Sequence, residues 1–417
     1  MSRSGWSRKQ QPMLGTDGTI EAEPRGSRGK GRRGAVLIAS GVATILLAGV
    51  AIVAFAPPGD HADLVSAAQA ADTHRDGPAV ALQVLSVTPA AGEKGVNGAD
   101  PIRVQFSAPL AASTPMPRLS PHIAGSWQVE GDTAVFTPAI GYFENTKVTL
   151  KILGGSNGMI SVAGASAGSG GRLATDVTES FTTGSFSTLR LQQLLSELGY
   201  LPLTWTAGST TVISPGNAEL FAAYRPPAGT FSWTGSYPSA LTSQWEAGAA
   251  NILDVGAIRA FESVSGLTMD GIAGRAVWSD LLSAAAKGKD NPNGYSYALA
   301  DQNSPETLTI WHNGRVVLQS PTNTGIAASP TVDGTFPVYL KFYFTYMKGI
   351  NPDGTPYDDP VYYANYFNGG DAVHQFPRAS YGWYQSLGCV ELPWDAAETA
   401  YGYLSYGSLV TVTGPVA

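Results

Sequence analysis

The chain has 417 residues, 49 of them Gly and 28 Pro, and only 14% are charged, a composition that argues against a helical bundle and for several turn-rich β domains, since single cores stop growing at roughly 250–300 residues. A formal net charge of -7, with a basic cluster in positions 1–34 that stops where an apolar run begins, argues against nucleic acid as a partner. One cysteine, Cys389, and five scattered histidines supply neither a disulfide framework nor a metal-ligand set, so no metal or other cofactor is expected.

Residues 1–34 are rich in Gly, Arg and Ser without hydrophobic periodicity, and they read as a disordered cytoplasmic tail. Residues 35–56, AVLIASGVATILLAGVAIVAFA, carry no charge and at about 1.5 Å per residue would span roughly 33 Å, enough for one transmembrane helix. The alternative is a cleaved signal with Ala54-Phe55-Ala56 as its A-x-A site, although the run exceeds the usual apolar segment of roughly 7–15 residues. Arg32 and Arg33 abut its N-terminal end, and the positive-inside rule then leaves the C-terminal domains facing the wall, outside the cell membrane. Residues 57–80 are a linker.

Short alternating runs at Leu82–Val87, Ile102–Phe106, Thr133–Phe136, Lys147–Ile152 and Glu179–Thr182 predict a β-sandwich over 81–184. With VTPAAGEKGVNGADPIRVQFSAPL at its start, this segment resembles the bacterial Ig-like domains that act as spacers. Residues 185–287 change period: Leu191, Leu194, Leu195 and Leu198 recur at helical spacing before Gly199, and AIRAFESVSGLTMDGIAGRAVWSDLL repeats the theme. These phrases resemble the small α-helical peptidoglycan-binding type 1 domain, interrupted here by a long insertion at 204–249.

A last domain over 293–414 alternates again at Leu308–Trp311, Val316–Leu318, Val338–Phe342 and Leu409–Val412, with one short helix expected over Trp394 to Leu404. Its thiol needs a base to become a nucleophile. The imidazoles in reach are His312, beside the Asn313-Gly314 hairpin signal and expected to be exposed there, and His374, fifteen residues before Cys389. A lone cysteine is otherwise a small packing residue.

The order His374, then Ser386-x-Gly388-Cys389-Val390, then a helix and the strand Ser408 to Val412, resembles the L,D-transpeptidase (YkuD) catalytic domain. Ser320 to Gly325 and Thr331 to Val338 resemble two more of that family's segments. The resemblance implies a β-sandwich with a short helix, Cys389 as acylated nucleophile, His374 as general base, and an oxyanion hole from the backbone around Leu387, Gly388 and Cys389, with Ser386 ordering the loop. Gly388 suits the loop because it lets backbone approach the substrate closely. The family commonly has His at the position of Leu387 and Arg at that of Glu391; Arg378 or Lys341 are the cations that could replace the latter. Tyr339, Trp383 and Arg378 are candidate substrate contacts. What the resemblance implies is a peptidoglycan L,D-transpeptidase of cell wall biogenesis. It would take a stem tetrapeptide as donor and form 3→3 crosslinks through a cysteine thioester. The alternatives are an L,D-carboxypeptidase, a protein-to-peptidoglycan anchoring enzyme, or a non-catalytic wall-binding structural protein.

Overall fold

The computed structural model describes residues 80–162, 171–208 and 217–415. The expected membrane span at 35–56 lies outside them, as do the tail and most of the linker. Among the described residues no helix is long and apolar enough to cross a membrane.

Among the described residues the first domain has seven strands: β1 (Val84–Thr88), β2 (Ile102–Phe106), β3 (Arg118–Ser120), β4 (Gly125–Glu130), β5 (Thr133–Pro138), β6 (Lys147–Ile152) and β7 (Val177–Thr182). Two antiparallel sheets, β1-β2-β5-β4 and β3-β6-β7, face each other across Ile102, Val104, Phe106, Phe136, Val148, Leu150, Ile152 and Phe181. Along β2 the burial alternates strictly, residue by residue, as a strand with one face in a core must. β4 was not legible as a separate strand, because none of its residues is buried.

The middle region contains α1 (Thr188–Glu197), β8 (Leu203–Ala207), α2 (Asn217–Tyr224), β9 (Gly229–Trp233), α3 (Ser239–Thr242), α4 (Ile252–Ser265) and α5 (Arg275–Lys287). Helix α4 starts at a capping box between Asn251 and Asp254 and ends at Gly266, whose φ of 70° is the left-handed stop that glycine favours. The described residues of the insertion contribute the antiparallel β8–β9 pair, α2 and α3. The helices bury Leu194, Leu195, Leu253, Phe261, Trp278 and Leu281 against one another.

The C-terminal region forms two sheets from β10 (Ser296–Asp301), β11 (Thr307–His312), β12 (Arg315–Pro321), β13 (Gly334–Pro337), β14 (Leu340–Ile350), β15 (Pro356–Asn368), β16 (Asp371–Gln375), β17 (Val390–Leu392) and β18 (Leu409–Thr413), with α6 (Trp394–Tyr403). The orders are β12-β11-β10-β18-β13 and β14-β15-β16-β17. The chain does not run as one strand through Val338–Phe342, as its alternation suggested. Val338 N–H donates to Ser408 O at 2.8 Å in one sheet and Tyr339 N–H to Tyr366 O at 3.0 Å in the other, so the crossover between sheets falls between these two residues. Ala298, Ala300, Ile310, Val373, Val390 and Val410 fill the space between the sheets. The opposite face of the five-stranded sheet, with Tyr297 and Leu409, belongs to the helical core instead.

Candidate active site

β16 and β17 run parallel with His374 opposite Glu391 and Val373 opposite Val390. Cys389 immediately precedes β17, so it sits at the start of the strand that pairs with the strand of His374. Fifteen residues of sequence thus collapse to one step between adjacent strands.

His374 is 3% exposed. Its Nδ1 lies 2.7 Å from Gln375 O; a carbonyl only accepts, so Nδ1 carries the proton and Nε2 is left with the lone pair. Burial lowers the imidazole's pKa below its ordinary value, against the Gln375 hydrogen bond and the Glu391 charge, which raise it. The ring is therefore neutral near pH 7, the form a base requires. His312, the other imidazole, is half-buried rather than exposed, because Tyr403 of α6 lies over it at 5.1 Å between ring centroids. Its Nδ1 is 2.9 Å from Ser296 Oγ.

Cys389 is half-buried, its Sγ 3.9 Å from both Met347 Sδ and Gly370 O. Met347 comes from the long hairpin β14–β15, which brings one strand over the thiol. Tyr357 on the same hairpin is raised in pKa by burial first and by the Cys389 charge second, and Tyr366 is raised for the same two reasons. Neither Met347 nor Tyr357 was a sequence candidate. Asn351-Pro352-Asp353-Gly354-Thr355 between aromatic-rich runs is the turn signal that could have found the hairpin.

The loop before Cys389 is organised by Ser386, whose Oγ donates to Cys389 O at 2.6 Å and accepts from Gly388 N–H at 3.2 Å. Gly388 has φ of 111°, which a side chain would resist. Its N–H is engaged within the turn, whereas Leu387 N–H makes no hydrogen bond among the described residues. Behind the loop, Thr324 O accepts N–H bonds from Gln385 and Ser386, both at 2.9 Å. Thr324 is itself held through its N–H and hydroxyl by the Glu306 carboxylate at 2.6 and 2.7 Å. Burial raises the Glu306 pKa, and these two bonds oppose the rise. Glu306 was missed because an isolated acidic residue carries no pattern.

Arg378 reaches Glu391 through a two-bond fork, Nε to Oε2 at 2.8 Å and Nη2 to Oε1 at 2.7 Å. The cation that the resemblance places at position 391 is thus present from another segment, paired with the carboxylate found there. Lys341 is not a substrate cation: its ammonium donates to Tyr401 O and Leu404 O at the end of α6, where a positive charge complements the helix dipole. Burial lowers its pKa to about 8. Tyr339 donates to Gly369 O, beside the Gly370 carbonyl near the thiol. Trp383 is 49% exposed and makes no ring contact among the described residues, so it stands apart from the cluster.

Residues 296–412 match the L,D-transpeptidase catalytic domain family (YkuD), and residues 78–183 match the bacterial Ig-like domain family. No curated protein matches the chain. Similar solved structures include an L,D-transpeptidase from Mycobacterium smegmatis, 18% identical, covering 80% of this chain and 99% of that one with a TM-score of 0.27. L,D-transpeptidase 3 from Mycobacterium tuberculosis is 16% identical, covering 79% and 98%, also with a TM-score of 0.27. The catalytic domain of the E. faecium L,D-transpeptidase is 28% identical, covering 28% and 96%, again with a TM-score of 0.27. The chain therefore carries, at residues 296–412, a domain of the L,D-transpeptidase catalytic family, preceded at 78–183 by a bacterial Ig-like domain.

Proposed function

We propose that this chain is a peptidoglycan L,D-transpeptidase forming 3→3 crosslinks through a thioester on Cys389. The observation that carries the reading is that β17, which begins directly after Cys389, pairs in parallel with the strand of His374, whose Nδ1 lies 2.7 Å from Gln375 O. His374 Nε2 takes the thiol proton as Sγ attacks the carbonyl of the third stem residue. The tetrahedral oxyanion is met by the Leu387–Cys389 loop, where the Leu387 N–H makes no hydrogen bond among the described residues, a use of fixed donors that lowers such barriers strongly. Collapse breaks the bond to the terminal D-alanine, whose amine leaves with the proton from the imidazolium. The side-chain amine of a neighbouring stem then attacks the thioester and regenerates the thiol. Tyr339, whose hydroxyl donates to Gly369 O next to the Gly370 carbonyl near the thiol, is the residue offered to the donor peptide.

The charge-free run at 35–56 supports a retained membrane anchor with the described domains outside the cell. The leucine spacing of 185–287 supports a peptidoglycan-binding-type module.

Incubation of the exported part with imipenem, followed by intact mass measurement, tests the enzyme. A covalent adduct is expected with the unaltered chain and none with Cys389→Ala. Absence of any adduct on the folded chain would falsify the nucleophile. With a tetrapeptide donor and a stem acceptor, loss of one D-alanine and gain of the acceptor mass is expected. Tripeptide as the sole product would instead identify a carboxypeptidase.

A further inference from the structure

We propose that Arg378 and Glu391 form a positioning pair that fixes the orientation and the proton affinity of the His374 imidazole. This rests on His374 being the base of the reaction above. Glu391 is 4% exposed and stands directly opposite His374 across β16 and β17. Its carboxylate takes both arms of the Arg378 fork at 2.7 and 2.8 Å. Arg378 Nη2 also donates to Gln385 O at 3.1 Å, and its guanidinium lies 4.7 Å from the centroid of the Phe376 ring. The Glu391 backbone exchanges two hydrogen bonds with Asn323, at 2.9 and 3.1 Å, and accepts a third from Thr322 Oγ1 at 2.7 Å. One ion pair therefore ties together β17, the 376–385 loop, the segment behind the catalytic turn, and the strand carrying the base.

The geometry also makes the pair an electrostatic counterweight. The charged groups acting on His374 are Glu391 from β17, Arg378 from the loop after β16 and Asp359 from β15; Glu391 and Asp359 favour the imidazolium and Arg378 opposes it. A neutral pair leaves the imidazole governed by burial. Losing either member exposes the ring to one uncompensated charge, and the two losses act in opposite directions. A pair that only braced the fold would not distinguish them.

The test measures the pH dependence of imipenem acylation for the unaltered chain, R378Q, E391Q and the double variant R378Q/E391Q. Acylation requires the neutral imidazole, so the acidic limb follows its titration. R378Q should move that limb to higher pH and E391Q to lower pH, each by about half a unit or more, a threefold change in relative rate on the limb, with the double variant returning toward the original. Coincident limbs in all four proteins, with only the melting temperature lowered, would overturn the proposal. Should a single variant not be recovered folded, R378K and E391D keep both charges but break the fork. They should lower the plateau rate more than fivefold with the limb unmoved, and an unchanged plateau overturns the positioning role. An NMR titration of the His374 ring in the same proteins reads the shift without any reaction. If imipenem labels nothing, the enzymatic reading fails while the ring titration still decides the pair.

Discussion

A buried histidine with one nitrogen spent on a backbone carbonyl can do little except accept a proton at the other. Desolvation lowers the His374 pKa, so the neutral base survives to more acidic pH than an exposed imidazole of about 6.5. The acidic limb of acylation is expected below that value, and a limb at or above it would remove His374 as the base. Replacing His374 with Ala should lower acylation by about 10²–10⁴-fold, the usual contribution of a positioned base. Glu306 acts further back. Glu306→Ala would strand the buried Thr324 N–H and hydroxyl, whose loss of partners costs about 1–3 kcal/mol each. A lowered melting temperature and slower acylation are expected together; an unchanged melting temperature would show that the carboxylate does not brace the loop. Cys389 and His374, the proposed nucleophile and base, stand out in the sequence because Cys389 is unique and His374 lies near it. Glu306 does not, since its role arises only when Thr324 is folded against it.

At the scale of elements, what the sequence revealed depended on whether one face of each strand met water. β2 and β6 alternate and were readable, whereas β10 is buried on both faces, Ala298 and Ala300 toward one core and Tyr297 toward another, so its pattern carries no period. The hairpin over the thiol failed to register for a related reason: its aromatic residues occur on both faces, hiding the alternation. Its turn is nevertheless specified. Gly354 has φ of 87°, and Asp353 Oδ1 accepts from Thr355 N–H at 2.9 Å and Thr355 Oγ1 at 2.6 Å. Gly354→Val should cost about 1–2 kcal/mol through the left-handed conformation alone. Faster amide exchange across β14 and β15 is expected, with the Ig-like domain unaffected. Uniform exchange across the chain would mean that the hairpin does not open as a unit.

Across the whole molecule, the helical region is part of the packing of the C-terminal region's five-stranded sheet rather than a detachable spacer. Tyr295, Tyr297 and Leu409 are buried in the helical core, and Trp311 packs partly against it. The insertion reaches the same sheet, where Gln244 Nε2 donates to Thr335 Oγ1 at 2.8 Å. It therefore covers the sheet face that belongs to the helical core, while the thiol is met from β14 of the other sheet. Helix α4 approaches the turn before β18 so closely that a Cβ on Gly256 would lie 2.7 Å from Gly407 O. Removing residues 1–292 would expose several large aromatic and leucine side chains at once, each worth about 1.5–3 kcal/mol when buried, against a net stability of only about 5–15 kcal/mol for a typical domain. A fragment of 293–417 is expected to aggregate or bind a hydrophobic dye, while 185–417 should unfold cooperatively and react with imipenem. Gly256→Leu in the full chain should weaken the same contact, since overpacking a tight interface costs about 1–3 kcal/mol. If the short fragment is soluble, cooperative and acylated at the full rate, the catalytic domain stands alone and the helices serve only to place it.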